Sequence, residues 1–77
     1  MIKPLTVKPL KNYMLEISFS NGETRLFDLK PYFSVPFYSA LEDEQIFKSV
    51  YVGDMTVEWP NGKDIAPHEL YETSIPC

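Results

Sequence analysis

Apolar and polar positions alternate most regularly between residues 13 and 19. Tyr13, Leu15, Ile17 and Phe19 interleave with Met14, Glu16 and Ser18, the period-two signature of a half-buried β-strand. Asn21-Gly22 follows, and both residues tolerate positive φ, so the spacing predicts a tight hairpin. With Asn21 and Gly22 as its two loop residues, Phe19 lies opposite Thr24, Ile17 opposite Leu26 and Leu15 opposite Asp28. Ser18 then pairs with Arg25 and Glu16 with Phe27. That register puts Phe27 and Met14 on the outward face with Glu16 and Arg25, under partial cover from another element. Upstream, Ile2, Leu5, Val7 and Leu10 suggest a strand over residues 2–10. Pro4 and Pro9 lack ladder donors and demote it to a sheet edge.

Beyond the hairpin the period changes. Asp28 is placed to cap a short helical turn at Leu29–Phe33, with Pro31 near its start. Residues 36–50 read as helical, with Phe37, Leu41, Ile46, Phe47 and Val50 spaced for one apolar stripe. Asp43 has the character of a second N-cap, so two short helices or one broken one are expected. Val50–Val52 reads as a strand, turned by Gly53-Asp54. Met55, Val57 and Trp59 then alternate with Thr56 and Glu58. Pro60-Asn61-Gly62 reverses the chain, with proline suited to the second position of a type I turn and Gly62 to a left-handed bulge. Residues 63–66 form a brief strand, Pro67–Tyr71 a last helical turn, and Thr73–Cys77 a tail expected to fray.

These elements echo one another. Phe19-Ser20-Asn21-Gly22 leads to Asp28-Leu29-Lys30-Pro31, and Trp59-Pro60-Asn61-Gly62 leads to Asp64-Ile65-Ala66-Pro67. Each copy reads as a hairpin finished by a proline-containing turn. The expected fold is α+β: one small domain over residues 1–77, with an antiparallel sheet of about five strands and short helices on one face.

Composition narrows the function classes. A chain of 77 residues fits one domain, and its 14% aromatic content can fill a core without disulfide or metal. The single cysteine, Cys77, has no internal partner; intermolecular oxidation is its foreseeable behaviour. No apolar run approaches the roughly 18 residues that span a bilayer. Pro4 and Lys8 interrupt any secretory signal, and a cytoplasmic location is expected. The formal net charge is −4, with five basic and three acidic residues in 1–35 but two basic and eight acidic in 36–77. Such a chain repels a phosphate backbone, which argues against nucleic-acid binding by this domain alone.

The two echoed segments carry a family resemblance. Phe19, Asn21, Gly22, Glu23, Arg25, Phe27, Asp28 and Leu29, then Trp59, Pro60, Asn61, Gly62, Asp64, Ile65, Pro67, Leu70 and Tyr71, resemble the bacterial family called domain of unknown function 2442. The likeness runs over about residues 3–72. It implies a small α+β domain with no assigned catalytic activity. Some members look fused to a helix-turn-helix domain, for which this chain has no room. Others lie beside a second small protein, in arrangements similar to toxin–antitoxin pairs.

Candidate chemistry is sparse. Asp28 and Asp64 hold equivalent places in the echo and could act as acid and base, or with Glu58 hold a divalent metal in a hydrolase or nuclease. Their preferred reading is structural, as cap and turn residues alongside Asn21, Gly22, Asn61 and Gly62. His68 has no recognisable nucleophile or orienting partner. Tyr32, Tyr38, Trp59 and Tyr71 are candidates for an aromatic recognition surface, with Trp59 read first as core; Tyr51 fits either role. The sequence thus points away from an enzyme, with no cofactor or metal expected. It points to a non-catalytic interaction module, possible antidote half of a two-protein pair, whose partner is another small protein encoded nearby. Transcriptional regulation is a further alternative. The expected state is a monomer or weak homodimer.

Overall fold

The computed structural model describes residues 2–76. Strand β1 (Pro4–Leu10) pairs antiparallel with β2 (Met14–Phe19), and β2 with β3 (Thr24–Asp28). After β3 come a 3-10 turn at Lys30–Ser34, a second at Pro36–Glu42 and helix α1 (Glu44–Lys48). A ribbon of β4 (Tyr51–Val52) and β5 (Val57–Glu58) follows, then helix α2 (Pro67–Thr73) and strand β6 (Ile75–Pro76). The expected α+β class is observed, with the strands divided into a four-stranded sheet, in the order β1-β2-β3-β6, and the two-stranded ribbon. Proline-bearing β1 is the edge strand its sequence requires.

The register of the β2–β3 hairpin differs from the expected one by one residue. Leu15 lies opposite Phe27, Ile17 opposite Arg25 and Ser18 opposite Thr24. The loop is Ser20-Asn21-Gly22: the Phe19 N–H donates to the Glu23 carbonyl at 2.8 Å, and Gly22 N–H to the Phe19 carbonyl at 3.0 Å. Gly22 is left-handed, at φ 89°, so the loop is a turn closed by a glycine bulge rather than a two-residue turn. Asn21 Oδ1 accepts the Glu23 N–H at 3.1 Å and stabilises the extra residue. Because side chains alternate, the shift changes faces. Phe27 joins Leu15, Ile17 and Phe19 in the core, and Arg25 stands on the same inner face opposite Ile17. The expected outward placement of Phe27 and Arg25 is thus corrected.

The second hairpin repeats the bond pattern. Trp59 N–H donates to the Lys63 carbonyl at 2.9 Å, Gly62 N–H to the Trp59 carbonyl at 3.0 Å, and Lys63 N–H to Asn61 Oδ1 at 3.2 Å. Here the proline turn and Gly62 bulge are as expected, with φ 88° at Gly62. Gly62→Ala would meet nothing within 4 Å, so its cost is backbone strain alone. We expect about 1–2 kcal/mol in urea unfolding; an unchanged midpoint would contradict the left-handed assignment.

Both echoes place their aliphatic residue in the core: Leu29 and Ile65 are each 0% exposed. The prolines that follow, Pro31 and Pro67, open helical segments. Asp43 caps α1, its side chain accepting from Gln45 N–H at 2.9 Å. Residues 63–66 form only an isolated bridge between Glu58 and Asp64. The C-terminal segment, expected to fray, instead adds β6 beside Arg25 and Leu26. The β1–β2 connection is held by Tyr13, at φ 59°. Its ring meets Phe33 and Phe47 edge-on and its hydroxyl donates to the Glu42 carbonyl at 2.5 Å, contacts that offset a conformation unfavourable for a side chain of this size.

Candidate interaction surface

Helix α2 organises the surface aromatics. Pro67 starts it, Leu70 enters the core, and the residues on either side of Leu70 reach opposite ways. Glu69 accepts a hydrogen bond from the Tyr32 hydroxyl. Tyr71 donates its hydroxyl to Glu23 and receives Asn21 Nδ2 at 3.3 Å. Its ring meets Phe19 edge-on at 5.1 Å and carries the Arg25 guanidinium at 4.5 Å. Arg25 also binds Glu23 at 2.7 Å, and donates from Nε to Ser74 Oγ and from its terminal nitrogen to the Ser74 carbonyl, both at 2.7 Å. The Tyr71 hydroxyl, and then Arg25, hold the Glu23 carboxyl below its ordinary value.

Tyr32 and Tyr38 form a second group. Their rings meet edge-on at 5.3 Å, Tyr32 lies against Phe27, and Tyr38 meets Phe37, over which Lys63 sits at 4.1 Å. Burial, together with the bond to Glu69, pushes the Tyr32 phenol up to about 12. Burial, then the charges of Glu69 and Asp64, also raises Tyr38. Below the ordinary value of 10 both states of Tyr32 are neutral and its contribution to stability is whole. Between pH 10 and about 12 the unfolded chain ionises first, so this contribution is lost across that window. Thermal melting should therefore decline from pH 10 upward, and less steeply in Tyr32→Phe; identical alkaline profiles would contradict the assignment.

The other candidate residues are distributed among the core, the turns and the ribbon. Trp59, grouped among the possible surface aromatics, is a core residue at 1% exposure, donating Nε1–H to the Phe47 carbonyl at 3.0 Å. Tyr51 is exposed, its hydroxyl reaching Glu58 at 3.3 Å. Asp28 is not the cap of the 3-10 turn, whose N-cap is Leu29 without a side-chain bond; one residue earlier, its Oδ1 accepts Lys30 N–H at 2.9 Å and pairs with Lys30 Nζ at 3.0 Å. Asp64 does not cap α2, whose N-cap is Ala66 without a side-chain bond; its place in the fold is the bridge to Glu58. Among the described residues no three His, Cys, Asp or Glu side chains are grouped to hold a metal ion. His68 is exposed, with Nε2 4.0 Å from Glu72. Cys77 lies outside the described residues. No helix among the described residues is long and apolar enough to cross a membrane.

A groove of about 510 Å³ lies beside α2, lined by Ile2, Met55, Pro67, His68, Tyr71 and Glu72. Ile2 and Met55 stand 38% and 41% exposed. The sequence read Ile2 and Met55 as strand residues, and only the tertiary fold brings them beside α2.

The doubled hairpin, the buried Leu29 and Ile65, and the α2 that both tyrosine groups engage define one small α+β module. The chain belongs to the family described as protein of unknown function DUF2442, which matches residues 4–76. No curated protein matches it. In the crystal structure of a candidate DNA-binding protein from Nitrosomonas europaea the same fold recurs with a TM-score of 0.81 and 22% identity, over 96% of this chain and 49% of that one. The present chain thus spans about half the length of that relative, and the likeness is one of fold.

Proposed function

We propose that this chain is a non-catalytic protein-interaction module, the antidote-like half of a two-protein pair. The observation that carries this reading is a contrast. Asn21 and Asp28 are spent on turns and Arg25 on holding Ser74 at the end of α2, while Ile2, Leu5, Val35, Met55 and Ile75 stand exposed. Exposed apolar groups that gather in one place are the raw material of a docking face, and Ile2 and Met55 share one groove. The partner is a second small protein encoded nearby, and the free chain is a monomer or weak dimer in the cytoplasm. The test is co-expression with the product of the adjacent gene, followed by size exclusion. Co-elution at about micromolar concentration is expected; elution as separate species counts against the pair.

The name of the Nitrosomonas europaea protein favours a second reading, a part in DNA binding. The net charge of −4 works against this chain making the phosphate contacts itself. A gel shift that weakens steeply with added salt would favour DNA binding over the protein pair.

A further inference from the structure

We propose that the groove between Ile2, Met55 and α2 is the docking site for an apolar, basic segment of a partner protein. The inference rests on the interaction-module reading and gives it a place and a chemistry. Tyr71 and Pro67 make the rigid wall. Tyr71 cannot swing freely, because its hydroxyl is held by Glu23 and Asn21 and its ring lies between Phe19 and the Arg25 guanidinium. A side chain already fixed in place loses little entropy when a partner packs on it. Ile2 and Met55 make the exposed wall, and an unbranched thioether adapts to the shape it meets. The volume of about 510 Å³ falls in the range of pockets that bury several apolar groups.

Charge decides the partner. Glu72 lines the groove and Asp54 directly precedes Met55, against Lys3 next to Ile2. Glu72 thus sets a carboxylate in a lining otherwise made by Ile2, Met55, Pro67, His68 and Tyr71. A polypeptide segment with aliphatic anchors and a flanking Lys or Arg engages both the apolar floor and this carboxylate.

The test uses two synthetic peptides of about twelve residues, each with leucines at helical spacing. One carries lysine between the leucines and the other glutamate. Titrated into the 15N-labelled chain, the lysine peptide should bind saturably and shift the amides of Met55, His68, Tyr71 and Glu72. Met55→Lys and Glu72→Lys should each weaken it about tenfold. Both positions are exposed, and an unchanged amide dispersion verifies the fold of each variant. Equal binding of the glutamate peptide, shifts centred elsewhere, full-strength binding to Met55→Lys, or no binding would each overturn the proposal. The adjacent gene product separates this from the parent reading. If it co-elutes equally with Met55→Lys and Glu72→Lys, the pair stands and the groove assignment fails. If the lysine peptide binds in the groove but no pair forms, the groove assignment stands and the two-protein reading fails.

Discussion

Trp59→Ala should remove about 3–5 kcal/mol of unfolding free energy, the largest loss expected from any single substitution in this chain. A domain of this length has a total stability of only about 4–12 kcal/mol at typical values per residue, so the variant should be partly unfolded at 37 °C. The reason lies in what the indole joins. It is 1% exposed, its ring sits in the one core cluster with Leu41, Phe47 and Ile65, and its Nε1–H reaches the Phe47 carbonyl at the end of α1. Truncation opens a cavity between the ribbon and the helical segment and removes the bond that joins them. Trp59→Phe keeps most of the volume and loses the bond, so a cost of about 1–2 kcal/mol is expected. Urea unfolding followed by far-ultraviolet circular dichroism reads both. A Trp59→Ala midpoint close to wild type would mean that Trp59 is not a core residue.

The core residues of each echo were legible because their signals are local. Period-two alternation marked Leu15, Ile17 and Phe19, and a turn signal followed by Asp-aliphatic-x-Pro marked Leu29 and Ile65. Asp43 was legible as a cap because capping needs only the two residues that follow it. The register departs from the expected one because the two echoes mark their loops differently. Pro60 made the second loop visibly three residues long. Ser20 holds the same place in the first loop but has no such mark, so Asn21-Gly22 read as a complete turn. Applying the second copy's geometry to the first would have placed Phe27 and Arg25 inward. Strand β6 and the Ile2–Met55 groove depend on contacts between residues about 50 apart in sequence, and no local pattern encodes those.

The same shift turns Arg25 from an outward charge into the clamp of the C-terminal segment, and its removal should be the second large effect. Arg25→Ala deletes two charge-assisted bonds to Ser74 and the cation–ring contact with Tyr71. The side chain is 13% exposed, so little water replaces them. A loss of about 2–3 kcal/mol is expected. Arg25→Lys should recover little of it, because an ammonium cannot fork to Ser74 Oγ and the Ser74 carbonyl together. The loss should be local as well as global. Amides over residues 70–76 should exchange faster, while those of β2 keep their order of protection. Acid adds an independent readout. The Glu23 carboxyl, lowered by Tyr71 and then Arg25, stabilises the fold above its ordinary value of 4.5, and this is lost as pH falls through the lowered one. Arg25→Ala should move that loss toward the ordinary value, so the variant weakens at higher pH than wild type. If exchange rises uniformly along the chain and the acid limb does not move, Arg25 contributes only packing and the C-terminal segment is held by other contacts.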